Sequence, residues 1–503
     1  MESFDLDTKL LEFGAGNDLS KNWCIKHSIL GLQAFGANGS GKSSSMKIFA
    51  LKMLRAGYGF LILSVKSERE TWEEYCRIAG RSKDFIRIGE GSPARFDFMK
   101  YLASNSTTGK FTGNLLNILS TVIKTMDGRG EQKSADAFWD KSLNLLLHNT
   151  ISLCQLAYGG NISIQVMYDI IQSAPKGSED GEADQQVDES ADNAFNRAFK
   201  SIKTEIATEY KAWKAKWSEE EELRFKDRGL LEEEVLRRFP KARPFKFVEQ
   251  FFFETFKTLS FKTKSIILLS VSSFLFNLLQ DPIYTLFCSG FTNVSPEHNY
   301  AGKVVLLDLP TKVYGEAGKS AQALYKYIWQ LQVEKRDKKG DIRPICLWSD
   351  ENAEWITEHD AIFQSTARDC RIAMVYICQN VHQYYAALGG KNASDRVASF
   401  LATLNTKIWF SNSCATTNKQ ASELIGDALF FEPSRTITTA EKFSQTDSVS
   451  LKVDRIIREN QFTNLLTGGR SNNCIVEAYI HVQGDKLFDG KAFKKIRFNQ
   501  NYQ

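Results

Sequence analysis

The stretch Gly36-Ala37-Asn38-Gly39-Ser40-Gly41-Lys42-Ser43 decides the fold. Gly36, Gly41, Lys42 and Ser43 meet the pattern GxxxxGK[ST] in full. Its flanks supply the context such a pattern needs. SILGLQAF (28–35) is a short apolar run that reads as a strand ending at the glycines. Ser44 to Ala56 reads as a helix, with Met46, Phe49, Ala50 and Met53 at helical spacing. GFLILSV (59–65) reads as a second buried strand. Strand, loop, helix and strand make a βαβ unit, which implies a parallel sheet.

Each residue of the loop has its own physical reason. Glycines at 36, 39 and 41 let the backbone curl so that successive N–H groups point inward at an anion. The helix that follows presents its positive end to the same anion. Lys42 then reaches β- and γ-phosphates, and the Ser43 hydroxyl completes a Mg²⁺ shell. The expected ligand is Mg-ATP, held by Gly36, Ala37, Asn38, Gly39, Ser40, Gly41, Lys42, Ser43 and Ser44.

Such a loop needs an acid at the end of a neighbouring strand. Asp308 follows VVLL, and Asp350 follows ICLWS. Only Asp350 has a partner acid, Glu351, which permits a division of labour. Asp350 is expected to hold the metal, and Glu351 to orient or deprotonate the attacking water. Asp308 is read as an ordinary strand-end aspartate. Gln379 ends the apolar run RIAMVYICQN, where an amide either senses the γ-phosphate or bonds a loop. Arg368 and Arg371, in STARDCRIAM, either serve a neighbouring subunit's nucleotide or make surface salt bridges.

Further outward, apolar residues at 3.6-residue spacing take over in NLLNILSTVIKTM and FWDKSLNLLLHNTISLCQLAY. SAPKGSEDGEADQQVDESADN (173–193) is acidic, lacks large apolar residues, and reads as a mobile loop. Strands return at 303–309, 345–349, 372–378 and 407–410, with a helix over 320–335. The reading is an α/β nucleotide-binding core split by an all-α insertion. Its parts are 1–112 with the phosphate loop, 113–298 as the insertion, and 299–503 with the Asp-Glu strand, sensor and closing strands.

Composition excludes several classes. A net charge of +4 does not by itself argue for nucleic acid, so any DNA contact must be local. Nine dispersed cysteines without a CxxC pair argue against a disulfide framework or zinc module, and a reducing cytoplasm suits them. MESFDLDTKLLEFG is polar, unlike a signal peptide. SIILLSVSSFLFNLL (265–279) is the nearest approach to a membrane span and reads as a buried core helix. No direct membrane insertion is expected. YKAWKAKW (210–217) and RRFPKARPFKF (237–247) offer basic residues for phosphates, while Trp213 or Phe245 stacks or packs.

Taken together, these motifs resemble the type IV secretion coupling proteins, the TraG/TraD class of conjugative DNA-transfer ATPases, from about residue 28 to about 485. AFGANGSGKSSS is the phosphate loop, and FLILSVKSERETW falls at the family's acidic-x-Lys-Gly-Glu segment. GSPARFDFMKYL is similar to its Phe-Asn-Pro-Leu step, and FWDKSLNLLL to its Phe-Trp helix. LWSDENAEW resembles its Asp-Glu strand end, and 368–379 its arginine-to-glutamine block. FTNLLTGGRSNNCIVEAYI resembles its closing strand.

The resemblance implies a RecA-like core with an all-α domain, ring hexamers and ATP-driven movement of DNA. It makes Arg368 the trans-acting arginine and Gln379 the γ-phosphate sensor. It also implies a relaxase or a secretion-channel partner at the inner membrane. The sequence departs from the family in three places. It shows no N-terminal membrane helices, Ser64 stands where an acid is usual, and Asn352 stands where a bulky apolar residue is commoner. The expected protein is therefore a cytoplasmic ATPase recruited to the membrane by a partner. The alternatives are a HerA/FtsK-like translocase in packaging or defence, and a nucleotide-dependent adaptor.

Overall fold

The structure is a computed structural model. It describes residues 4–13, 22–105, 108–126, 133–175, 192–338, 342–439 and 443–502. Most of the acidic stretch at 173–193 lies outside them.

The first two strands, β1 (Lys9–Glu12) and β2 (Asn22–Cys24), pair antiparallel as a small separate sheet. The main sheet has nine strands in the order β13-β12-β9-β3-β8-β7-β4-β6-β5. Its members are β3 (Leu32–Phe35), β4 (Gly59–Leu63), β5 (Phe85–Gly89), β6 (Val304–Asp308), β7 (Ile345–Ser349), β8 (Ile372–Cys378), β9 (Thr406–Phe410), β12 (Ile475–Val482) and β13 (Phe493–Asn499). From β9 to β5 every pairing is parallel. β12 joins β9 antiparallel, and β13 joins β12 likewise. The central strands β3, β4, β6, β7, β8 and β9 are buried along their whole lengths, as parallel strands covered on both faces must be. A long hairpin, β10 (Asp427–Thr439) with β11 (Phe443–Arg455), forms a third sheet.

One face of the sheet is covered by α1 (Ile25–Ser28), α2 (Lys42–Arg55) and α3 (Arg69–Ile78), through Met46, Phe49, Met53 and Trp72. The predicted strand at 28–35 is thus shorter than expected, because Ile25–Ser28 turns as a helix. The other face meets a large helical body that shares one continuous core with it. That body runs from α4 (Phe98–Ser104) through α5 (Thr108–Met126), α6 (Lys133–Tyr158), α7 (Ile164–Ser173), α8 (Ala194–Lys214), α9 (Glu219–Arg224), α10 (Arg228–Arg238), α11 (Ala242–Gln250), α12 (Phe256–Thr258) and α13 (Phe261–Leu278) to α14 (Ile283–Phe287). The helical body therefore begins at Phe98, where Asp97 caps α4 by accepting from Lys100 N.

By length and composition α13 is apolar enough to cross a membrane. Its Ile267, Val271, Phe274 and Leu278 are buried in the helical core, against α6, α7 and α15 (Thr311–Val333). The remaining helices, α16 (His359–Ala367), α17 (Val381–Leu388), α18 (Ala393–Ala402), α19 (Ala415–Ile425) and α20 (Glu459–Thr463), connect the strands of the second half.

Trp213 packs with Phe225, Phe239 and Ala242 in a small core of its own, and Phe245 is buried against Phe199. Of the two roles open to these rings in the sequence, stacking on a base or packing, the fold selects packing.

Candidate active site

The topology brings the chemistry to one edge of the sheet. In a parallel sheet the loops that follow the strands share one side, and ligands collect there. β8 lies between β3 and β7. The phosphate loop after β3, the acids after β7 and Gln379 after β8 are therefore neighbours.

The loop is tied down by its own backbone. Gly36 N donates to Cys378 O at 3.3 Å and Gln379 O at 3.2 Å, and Ala37 N donates to Ser411 O at 2.9 Å. A Cβ at Gly36 would stand 2.7 Å from Phe410 Cβ, so glycine alone allows this approach. Gly41 adopts φ +82 directly before α2, and a side chain there would also strike Val476 at 2.5 Å.

Thr467 and Gln500 join Lys66, Asp350, Glu351 and residues 37–44 around a cavity of about 320 Å³. Lys42 is buried, with Nζ donating to Ala37 O at 3.3 Å. Burial lowers its pKa, while Glu351 and Asp350 oppose that shift. Ser40 Oγ is buried and has no hydrogen-bond partner among the described residues. An orphaned hydroxyl and a buried ammonium, at the N-terminus of α2, form a donor set that fits phosphate oxygens. Ser43 and Asp350 both line this cavity and would hold a Mg²⁺ ion.

Asp350 and Glu351 close β7. Asp350 is buried, and burial raises its pKa against the pull of Lys42. Glu351 turns into the left-handed region at φ 52, uncommon for a side-chain residue. The turn is held from behind. Lys326 of α15 donates to Trp355 O at 2.9 Å and to Asp360 at 2.6 Å, with both side chains buried. Asn352 is fully buried and donates to Tyr384 OH at 3.3 Å, and Tyr384 OH bonds Gln33 Oε1 at 2.9 Å. A polar residue at position 352 thus links the Asp-Glu turn to α17 and to the strand beneath the phosphate loop.

Gln379 Nε2 donates to Glu351 Oε1 at 3.4 Å. Arg368 is exposed at the opposite end of β8, remote from its own chain's cavity. Arg371 is occupied by the backbone, donating to Phe4 O and Ile342 O. Asp308 does not line the cavity and accepts from Ser67 and Arg87.

Sequence reasoning passed over Glu68, Lys66, Thr467 and Gln500. Glu68 shares a hydrogen bond with Asp350, accepts from Trp72 Nε1, and has its pKa raised to about 7 by burial and by the Asp350 charge. Its signal was its place in SVKSE, the segment that resembles the acidic-x-Lys-Gly-Glu block. Ser64, in the acid's place of that block, donates to Lys66 O at 2.8 Å and shapes the turn. Thr467 lies in the stretch that resembles the closing strand but carries no mark of its own there, and Gln500 gives no signal, because nothing local ties it to the loop.

Residues 344–466 match the family model described as "TraM recognition site of TraD and TraG". No curated protein matches the sequence. Among solved structures, plasmid coupling protein TrwB in complex with the ATP analogue ADPNP aligns with a TM-score of 0.56 and 14% identity, over 95% of this chain and 88% of that one. The bacterial conjugative coupling protein TrwBdeltaN70 in an unbound form gives 0.54 and 12%, over 96% and 87%. TrwB with ADP and Mg²⁺ gives 0.54 and 12%, over 96% and 87%. The chain therefore matches the model of TraD and TraG over residues 344–466 and shares the fold of the TrwB structures.

Proposed function

We propose that this protein is an ATP-hydrolysing motor of the coupling-protein kind, which moves or recruits DNA or nucleoprotein for transfer through a secretion system. The observation that carries the proposal is the convergence of Lys42, Asp350 and Glu351 on one cavity, with Gln379 bonded to Glu351. The fold is shared with a protein solved with ADPNP and with ADP and Mg²⁺.

In this reading the loop N–H groups and Lys42 hold the triphosphate, and Ser43 and Asp350 hold Mg²⁺, which supplies charge neutralisation at the phosphates. Glu351 accepts a proton from the water whose oxygen attacks the γ-phosphorus, as the bond to the departing ADP oxygen breaks. Gln379, bonded to Glu351, orients that water. The exposed Arg368 serves the cavity of an adjacent copy, which requires an oligomer, and the ring is a hexamer. Its partners are DNA and a relaxase or membrane channel component, so it works in the cytoplasm at the inner membrane.

A second reading is a nucleotide-dependent adaptor that recruits proteins without translocation. The hairpin favours it. Leu429, Phe431, Val449, Leu451 and Val453 share one face of β10–β11 by register, and each is well exposed, a surface suited to a protein.

ATP turnover measured with and without single- and double-stranded DNA, across a salt series, separates the two. DNA stimulation that fades with salt is the expected outcome for the motor. Turnover with no DNA response selects the adaptor.

A further inference from the structure

The cavity has two chemically different ends. Lys66, Asp350 and Glu351 lie near Lys42, and the uncharged Thr467 and Gln500 rest against Gly41 and Ser44. In a loop of this type the backbone takes the α- and β-phosphates while the lysine reaches the β- and γ-phosphates. A triphosphate therefore runs from the Glu351 side toward Ser44. Whatever is esterified to its α-phosphate leaves at the Thr467–Gln500 end.

That end is a built site. Gln500, just after β13, donates from Nε2 to Ser44 Oγ at 2.9 Å and accepts at Oε1 from Gly469 N at 2.8 Å. Its amide packs where a Gly468 side chain would begin, 2.5 Å from that ideal Cβ, and Gly468 has φ +83. Asn472 Nδ2 fixes Gly468 O at 3.0 Å. Thr467 O lies 3.2 Å from the ideal Cβ of Gly41, so the segment from Thr467 to Gly469 rests directly on the phosphate loop.

We infer that Thr467 and Gln500 form the nucleoside subsite, with the Gln500 amide reading polar groups of the ribose or the base. The inference rests on the phosphate-loop reading of the function and adds the half of the ligand which that reading leaves without partners. With one N–H on Ser44 and one lone pair on Gly469 N, the amide keeps a second N–H and a second lone pair, which suit ribose hydroxyls and a base edge alike. Its position on Ser44 sets it beside the α-phosphate, where the nucleoside starts. The residue lies 456 positions from Ser44 in sequence.

The test is calorimetric titration of the full chain with ATP, GTP, 2′-deoxy-ATP and inorganic tripolyphosphate, each with Mg²⁺. Gln500→Leu keeps the bulk against Gly468 and removes the amide. Wild type is expected to bind ATP more tightly than tripolyphosphate. The variant is expected to lose about five- to tenfold in ATP affinity, the worth of one or two hydrogen bonds, with tripolyphosphate binding within about twofold of wild type. Thr467→Val should move the same difference in the same direction, and it carries the test if Gln500→Leu does not fold.

A loss shared by ATP and GTP but absent from 2′-deoxy-ATP assigns the ribose. A loss confined to the adenine nucleotides assigns the base edge. Equal losses for ATP and tripolyphosphate would mean that Gln500 only props the phosphate loop, and unchanged ATP binding would mean that it touches no ligand. Either result overturns the inference. Wild type that binds no tripolyphosphate overturns the phosphate-loop reading itself, and the subsite with it.

Discussion

Gln379 and Glu351, at the ends of adjacent strands β8 and β7, are joined by a side-chain hydrogen bond of 3.4 Å. The bond sets an amide beside the carboxylate proposed to take the water's proton. Glu351→Gln should retain ATP binding and lower turnover by about 10²–10⁴-fold, the usual worth of a general base. Gln379→Ala should lower kcat by about tenfold with little change in KM, because it removes orientation rather than binding. Steady-state turnover with parallel nucleotide-binding measurements checks both. Unchanged turnover in Glu351→Gln would remove Glu351 from the chemistry.

Arg368 stands at the far end of β8 from Gln379, so its own cavity is out of reach. Arg368→Ala alone and Lys42→Ala alone should each be nearly inactive. Mixed together they should recover part of the wild-type rate, since one supplies the intact cavity and the other the arginine. No recovery on mixing, in a preparation shown to co-assemble, would exclude a site shared between copies.

The Lys326–Asp360 pair is buried on both sides and braces the turn after Glu351. Removing one partner leaves an uncompensated buried charge, which costs about 3–5 kcal/mol. Lys326→Met should lower the denaturation free energy by about that amount, and Lys326→Met with Asp360→Leu should recover much of it. Chemical denaturation of the three proteins reads the difference. A neutral Lys326→Met would show that Asp360 is relieved by other means.

Lys407 on β9 is buried beside His481 of β12. Burial lowers its pKa from 10.5 to about 8. Below about pH 8 both folded and unfolded chains hold the proton, and the buried ammonium costs stability in full. Between about 8 and 10.5 only the unfolded chain keeps it, so this penalty fades as pH rises. Lys407→Met should therefore be more stable than wild type at pH 7, by an amount on the order of 1–3 kcal/mol. The advantage should shrink to nothing by about pH 10.5. Guanidinium midpoints across that range test it, and a difference independent of pH would point to packing instead.

The exposed apolar face of β10–β11 and the position of Gln500 have a common lesson about legibility. Residues 427–455 read in sequence as no particular element, because serines, threonines and charges break the alternation that marks a strand. β5 and β13 were likewise passed over. Asn352, by contrast, stood out in sequence as an unusual residue, but its hydrogen bond to Tyr384 became visible only once α17 lay beside the Asp-Glu turn.

The sequence by itself determined the phosphate loop, the βαβ unit around it, the helical character of the middle third and the Asp350-Glu351 strand end. Each rests on local physics: φ > 0 at glycines, apolar periodicity, and the chemistry of adjacent side chains. Only the tertiary structure decided which strands are neighbours, and so that β8 brings Gln379 between β3 and β7. It also placed Glu68 on Asp350, buried Trp213, and set Gln500 on Ser44. Those contacts join residues distant along the chain, and packing selects such pairs only after the sheet order exists.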